Sequence, residues 1–208
     1  MAITLSSFPF PCLLVILIGL GIFTVRMRAV SRKQEERTQN FWELEAEANH
    51  SPKRDISNLD YIKIPDEIIS YCDLEDDEVL RGVKINLEKL KDSNILNLSA
   101  YTNTELKKMY GAANLTALCE YDENFILLIR ALQTLALELK EKHYEEEACA
   151  VLEFAISIKT DISESYKQLG LFYVKEGKSD ELGNLKRQAA ALSSPMRSKI
   201  LENLERIG

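Results

Sequence analysis

The apolar positions of this chain fall into three patterns. The first is an unbroken block, Phe8 to Val25, with no charged side chain. Its 18 residues, at 1.5 Å of rise each, cover about 27 Å as a helix, enough to cross a hydrocarbon core once with little tilt. Residues 26–50 follow without Gly or Pro and are rich in Arg, Glu, Gln and Ala, which predicts that the helix continues as a charged stalk. Phe41 and Trp42 lie on it, and because two adjacent aromatics make no heptad they are expected to pack rather than to pair helices. Next, residues 51–73 mix β-branched and aromatic residues with turn formers and Pro65, which predicts an extended segment. Ile56, Leu59, Tyr61, Ile62, Ile64, Ile68, Ile69 and Tyr71 make it too apolar for a free linker, so it should lie along the domain that follows.

From residue 74 onward the period is helical. Val79, Val83, Leu87 and Leu90 mark one helix face. Thr102-Asn-Thr-Glu105 has capping-box spacing ahead of a short helix that Gly111 is placed to end. Asp122 is expected to cap a long helix from Glu123 to about Lys142, central in the fold because Phe125 to Ile129 is apolar on nearly every side. Further helices are expected at about 144–158, 162–176, 179–192 and 195–207, the last opened by Pro195. The expected fold is all-α: a helical domain, 74–208, behind a single N-terminal transmembrane helix.

Two stretches of that domain repeat each other. Tyr166, Leu169, Gly170 and Tyr173 precede a turn at Glu176-Gly177-Lys178, with Ala189 and Pro195 beyond. Thirty-four residues upstream of Tyr166, Leu169 and Gly170 stand Leu132, Leu135 and Ala136, followed by Ala148, Leu152 and Ala155. Small residues let paired helices approach, and large ones fill the space against the next pair. This spacing resembles the tetratricopeptide repeat. Leu182 and Lys186 depart from that family's pattern, and neither copy holds a Trp. The resemblance implies a short right-handed α-solenoid of TPR-like hairpins: repeats at about 129–162 and 163–196, a capping helix at 195–207, and helices 79–90 and 103–118 as a divergent cap.

The resemblance also implies a peptide groove at the first-helix positions Arg130, Gln133, Leu137, Lys167, Leu171 and Val174, with Lys175 at its border. Leu137 and Leu171 would form an apolar floor, and Arg130, Lys167 and Lys175 a basic rim. An extended peptide with one apolar anchor and nearby carboxylates suits such a groove. The two-carboxylate clamp of chaperone-binding members needs an Asn at the Leu137 offset, so chaperone tails are not implied. Residues 56–71 of the same chain are the competing occupant.

Charge orients the chain. Arg26, Arg28, Arg32 and Lys33 all follow the apolar block, so the positive-inside rule leaves residues 1–7 outside and 26–208 in the cytosol of a single-pass protein of the cell membrane. A cleaved signal fits less well, with no Lys or Arg before the block and no small-x-small site before Arg26. The remaining 22 basic and 33 acidic side chains leave a formal −11, which repels a phosphate backbone, so no nucleic-acid partner is expected. Cys72, Cys119 and Cys149 are scattered, and neither His50 nor His143 has a ligand-spaced neighbour, so no disulfide framework, metal or cofactor is expected. Cys149, on an apolar helix face, reads as a core thiol. The acidic runs Glu75 to Glu78 and Glu145 to Glu147 read as solvated faces. Asn97-Leu-Ser99 and Asn114-Leu-Thr116 match the glycosylation acceptor pattern, by chance if the domain is cytosolic. No phosphate loop, nucleophile elbow or zinc-protease motif occurs, so an enzyme is not expected. Two function classes remain: a membrane-tethered scaffold or adaptor with a protein or peptide partner, and an obligate structural or assembly subunit of a larger membrane complex.

Overall fold

A computed structural model describes residues 10–207, apart from the side chains of residues 10–17, Ala29 and Lys33. It divides into two compact units, residues 1–50 and 51–208. The described part is all-α, with no strand.

The first unit is one helix, α1 (Phe10–Asn49), whose 40 residues extend about 60 Å. It runs without a break from the apolar block into the charged stretch, since nothing after Gly21 interrupts helical propensity. Among the described residues no helix is long and apolar enough to cross a membrane. Phe8 and Pro9, which open the expected span, lie outside the described residues, as does the expected outer segment 1–7.

In the second unit the chain runs irregularly to Pro65, then forms α2 (Asp66–Ser70) and a 3-10 turn, Tyr71–Asp73. The segment expected to be extended throughout is therefore helical after Pro65, where proline suits a helix entrance and Asp66 and Glu67 favour the first turn. Then come α3 (Glu78–Lys91), α4 (Asn103–Tyr110), a 3-10 turn Ala112–Asn114, α5 (Leu115–Glu141), α6 (Glu145–Ser157), α7 (Ser163–Lys175), α8 (Ser179–Ala190) and α9 (Arg197–Ile207). Asp77 caps α3 by accepting from the Val79 and Leu80 amides at 2.7 and 3.2 Å, and its carboxylate meets Lys142 at 3.0 Å, which ties α3 to the end of α5. Thr102 and Glu105 form the expected capping box. Asp122 does not cap a helix. No breaker separates Gly111 from residue 122, so α5 begins at Leu115, and the Asp122 carboxylate instead accepts from the Leu98 amide at 2.9 Å.

The helices α5 to α9 pack each on the next, and α7 also packs on α9. Backbone bonds recur at a 34-residue offset. Lys142 donates to Glu138 as Glu176 does to Phe172, His143 to Lys140 as Gly177 to Val174, and Tyr144 to Leu139 as Lys178 to Tyr173. His143 and Gly177 make these equivalent turns with left-handed φ of 68° and 69°. Burial repeats too, in the pairs Leu132 and Tyr166, Leu135 and Leu169, Leu139 and Tyr173, Val151 and Leu185, and Ala155 and Ala189. Ile200 on α9 continues the series from Leu132 and Tyr166, and all three are buried. Gly170 faces that last helix, where an added Cβ would meet Leu204 Cδ2 at 3.0 Å.

One large apolar core runs from Ile64, Ile68 and Ile69 through α3 and on to Leu204. A smaller one joins Leu96, Leu98, Leu106 and Leu118, and Ile56, Leu59 and Tyr61 pack against it.

Candidate functional site

A cavity of about 130 Å³ opens between α5, α6 and α7. Gln133, Ala136, Leu137 and Lys140 line it from α5, one helical stripe at spacings of three and four. The matching stripe on α7 supplies Gln168, Leu171, Phe172 and Lys175, and α6 closes the floor with Glu145, Ala148, Cys149 and Leu152. Leu137 and Leu171 remain 37% and 41% exposed although they face each other across a concave surface.

Of the seven positions expected to form a groove, Gln133, Leu137, Leu171 and Lys175 line this cavity. Arg130 and Val174 are exposed and Lys167 is half-buried, and none of the three contributes to its wall. Lys140, Gln168 and Phe172 were legible as neighbours one helical turn along the same stripes. Glu145, Cys149 and Leu152 come from the second helix of the pair, and no spacing in the sequence says how far that helix rises into the groove. Residues 56–71 do not fill it. Ile62, Ile64, Ile68 and Ile69 are committed to the large core and Ile56, Leu59 and Tyr61 to the small one.

The rim is polar and laterally bonded. Lys140 of α5 donates to Gln168 of α7, whose amide nitrogen donates to Glu164. Lys175 pairs with Glu145, and that contact is the main cause holding the Glu145 carboxyl below the usual carboxylate range. Lys167 pairs with Glu164 at 3.4 Å. Ser165 donates to Gln133 Oε1, while Gln133 Nε2 is the one buried side-chain polar atom among the described residues without a partner. A ligand oxygen would satisfy it if the side chain turned toward the cavity.

The one thiol lining the site is held in its neutral form. Cys149 is buried, and loss of solvation, aided by Glu153, pushes its thiol up to about 12, so it is almost wholly protonated near neutrality. Its Sγ donates to Glu153 Oε1 at 3.6 Å, and the Tyr173 hydroxyl donates to the same oxygen at 2.7 Å. Cys72 is likewise raised, to about 11, mainly by burial. Among the described residues no group of three His, Cys, Asp or Glu is arranged to hold a metal ion. The two glycosylation-like asparagines are occupied by backbone. Asn97 donates to the carbonyls of Ile158 and Lys159, and the buried Asn114 to those of Arg54 and Tyr110.

No family model matches the chain, and no curated protein or solved structure matches it either.

Proposed function

We propose that this chain is a membrane-tethered interaction module, a scaffold or adaptor of TPR-like helical hairpins that recruits a protein partner through the groove between α5, α6 and α7. The observation that carries the reading is the concave cavity itself: two half-exposed leucines on equivalent helices, 34 residues apart, over an apolar floor and between Lys140 and Lys175. Isolated exposed leucines are ordinary on a protein surface, but a concave apolar site with a few polar groups at its edge is the usual form of a ligand site. An extended peptide would seat an apolar side chain between Leu137 and Leu171. Its carboxylates would meet Lys140 and, further along the same helix, Arg130. The bond-for-bond recurrence of the turns at His143 and Gly177 supports the repeat, and with it the right-handed solenoid.

The tether in this reading is the apolar block 8–25, a single-pass anchor in the cell membrane with the N-terminus outside. Arg26, Arg28, Arg32 and Lys33 favour the cytosolic side for everything after it. An exposed reporter is needed to test the orientation, because Cys72 is buried; Ile85→Cys on α3 supplies one, in a Cys12→Ser, Cys119→Ser background. Labelling of that variant in intact cells by a membrane-impermeant maleimide would reverse the assignment.

Leu171→Asp tests the groove. It places a carboxylate on the α7 wall of the cavity without touching the core, so the melting temperature should hold while partner capture from gently solubilised membranes falls away. Unchanged capture would remove the groove from the reading. Aggregation of the isolated unit 51–208 would instead favour an obligate subunit of a larger membrane complex.

A further inference from the structure

A second surface lies on α1. Beyond the proposed anchor, Met27, Val30, Gln34, Arg37, Phe41 and Leu44 succeed one another at alternating steps of three and four residues, the spacing of a heptad seam. The four apolar members are between 49% and 60% exposed. Trp42, one position on, lies toward the outer face and meets the Phe41 ring edge-on at 5.4 Å, so of the adjacent aromatics that obscure the period only Phe41 belongs to the seam. A stripe of period 3.5 drifts on a straight helix and stays buried only where a second helix supercoils with it.

The geometry points to a second copy of this chain as the partner: α1 forms a parallel, in-register, two-stranded coiled coil just beyond the membrane. Parallel alignment rests on the anchoring proposed above, since two anchors entering one bilayer from the same side hold their stalks side by side. In that register Gln34 faces Gln34 of the second copy, where the two amides bond each other across the seam and penalise slipped pairings. The flanking positions agree. Arg26 lies toward Ser31 of the second copy and Asn40 toward Glu45, so like charges oppose each other at neither pair, although Arg37 in the seam faces Arg37 of the second copy. Arg37 weakens one layer, its stem covering the seam while the guanidinium reaches water. Fewer than three heptads are marginal for a free helix pair, but confinement to a membrane raises the effective concentration of the two stalks.

The test is disulfide cross-linking of the full chain in native membranes, in a Cys12→Ser, Cys119→Ser background that leaves only the buried Cys72 and Cys149. Val30→Cys and Leu44→Cys, on the seam, should each give about tenfold more linked dimer than Arg32→Cys and Gln39→Cys on the opposite face, because only seam positions come within disulfide reach. Arg37→Leu should raise the yield at Val30→Cys. Equal yields at all four positions, or none, would overturn the coiled coil. Linkage seen only when Val30→Cys and Leu44→Cys chains are mixed would show antiparallel pairing and overturn the parallel dimer. Carbonate extraction of the same membranes reads the anchor separately: release of the chain means the tether has failed, whatever the cross-linking shows.

Discussion

Replacing the buried Gly111 with alanine should destabilise the second unit more than a methyl group added at any other of its described glycines. Gly111 ends α4 at φ 92° and ψ 143°, a region that side chains rarely enter. Its hydrogen faces the chain entering the domain, where an added Cβ would stand 2.4 Å from the Pro52 carbonyl oxygen and 2.7 Å from Lys53 Cα. These are backbone atoms and cannot swing aside as a side-chain tip would. Relief requires residues 52–54 to lift away, which breaks the Arg54 amide bond to the Tyr110 carbonyl, 3.0 Å, and the Asn114 amide bond to the Arg54 carbonyl, 2.7 Å. Backbone strain of about 1–3 kcal/mol and two hydrogen bonds at about 1 kcal/mol each give a loss of about 3–5 kcal/mol. That is a large share of the roughly 5–15 kcal/mol that holds a typical domain. Urea unfolding followed by circular dichroism measures it, with hydrogen exchange at the Arg54 amide as the local readout. Gly183→Ala is the control. It lies inside α8 with nothing within 4 Å of the added Cβ, and should gain about 0.5–1 kcal/mol from helix propensity. A Gly111→Ala midpoint equal to or above the parent's would refute both the close approach and the strain.

Two other predictions concern the core. Leu135→Ala empties a fully buried position in the last third of α5 and should cost about 2–5 kcal/mol in the same unfolding assay. A smaller loss would mean that α5 is not the central helix. The buried thiols predict an alkaline limb. Folding raises Cys149 from its ordinary 9.0 to about 12 and Cys72 to about 11, so the folded state holds these protons more tightly than the unfolded chain does. The resulting stability is complete below pH 9 and is lost as pH rises through the folded values. Cys149→Ala should flatten that fall between pH 9 and 11, and an unchanged slope would count against the burial argument.

Much of the helical order was legible because it is written in local chemistry. The Thr102 and Glu105 box, the glycines at 111 and 177, and the period of Val83, Leu87 and Leu90 each act within a turn or two of chain, although Val79, expected on the same face, is 44% exposed and Leu80 is buried in its stead. Misreadings arose where a local signal served a distant partner. Asp122 has the form of a helix cap, yet its carboxylate holds the Leu98 amide, 24 residues away, because α5 had already begun at Leu115. Gly111 was legible as a helix stop, but its closer constraint is Pro52, which no window around residue 111 contains. The expected groove was half legible for a similar reason. Offsets along α5 and α7 identify which residues share a stripe, but only packing decides that Lys140 and Gln168 close over the cavity while Arg130 and Val174 stand outside it.

What the sequence determined by itself is therefore periodic and short-ranged: an all-α chain, the order and approximate limits of its helices, and which positions recur every 34 residues. These depend on backbone propensity, capping and burial on one face, all of which act between near neighbours. What only the tertiary structure decided is where non-neighbours meet: that residues 56–71 are absorbed into the two cores and leave the groove open, that Cys149 and Leu152 form its floor, and that Leu204 is the side chain lying against Gly170. Those outcomes depend on the summed packing of several helices, where a displacement of an ångström or two at one contact changes which side chain faces water, and no spacing along the chain carries that information.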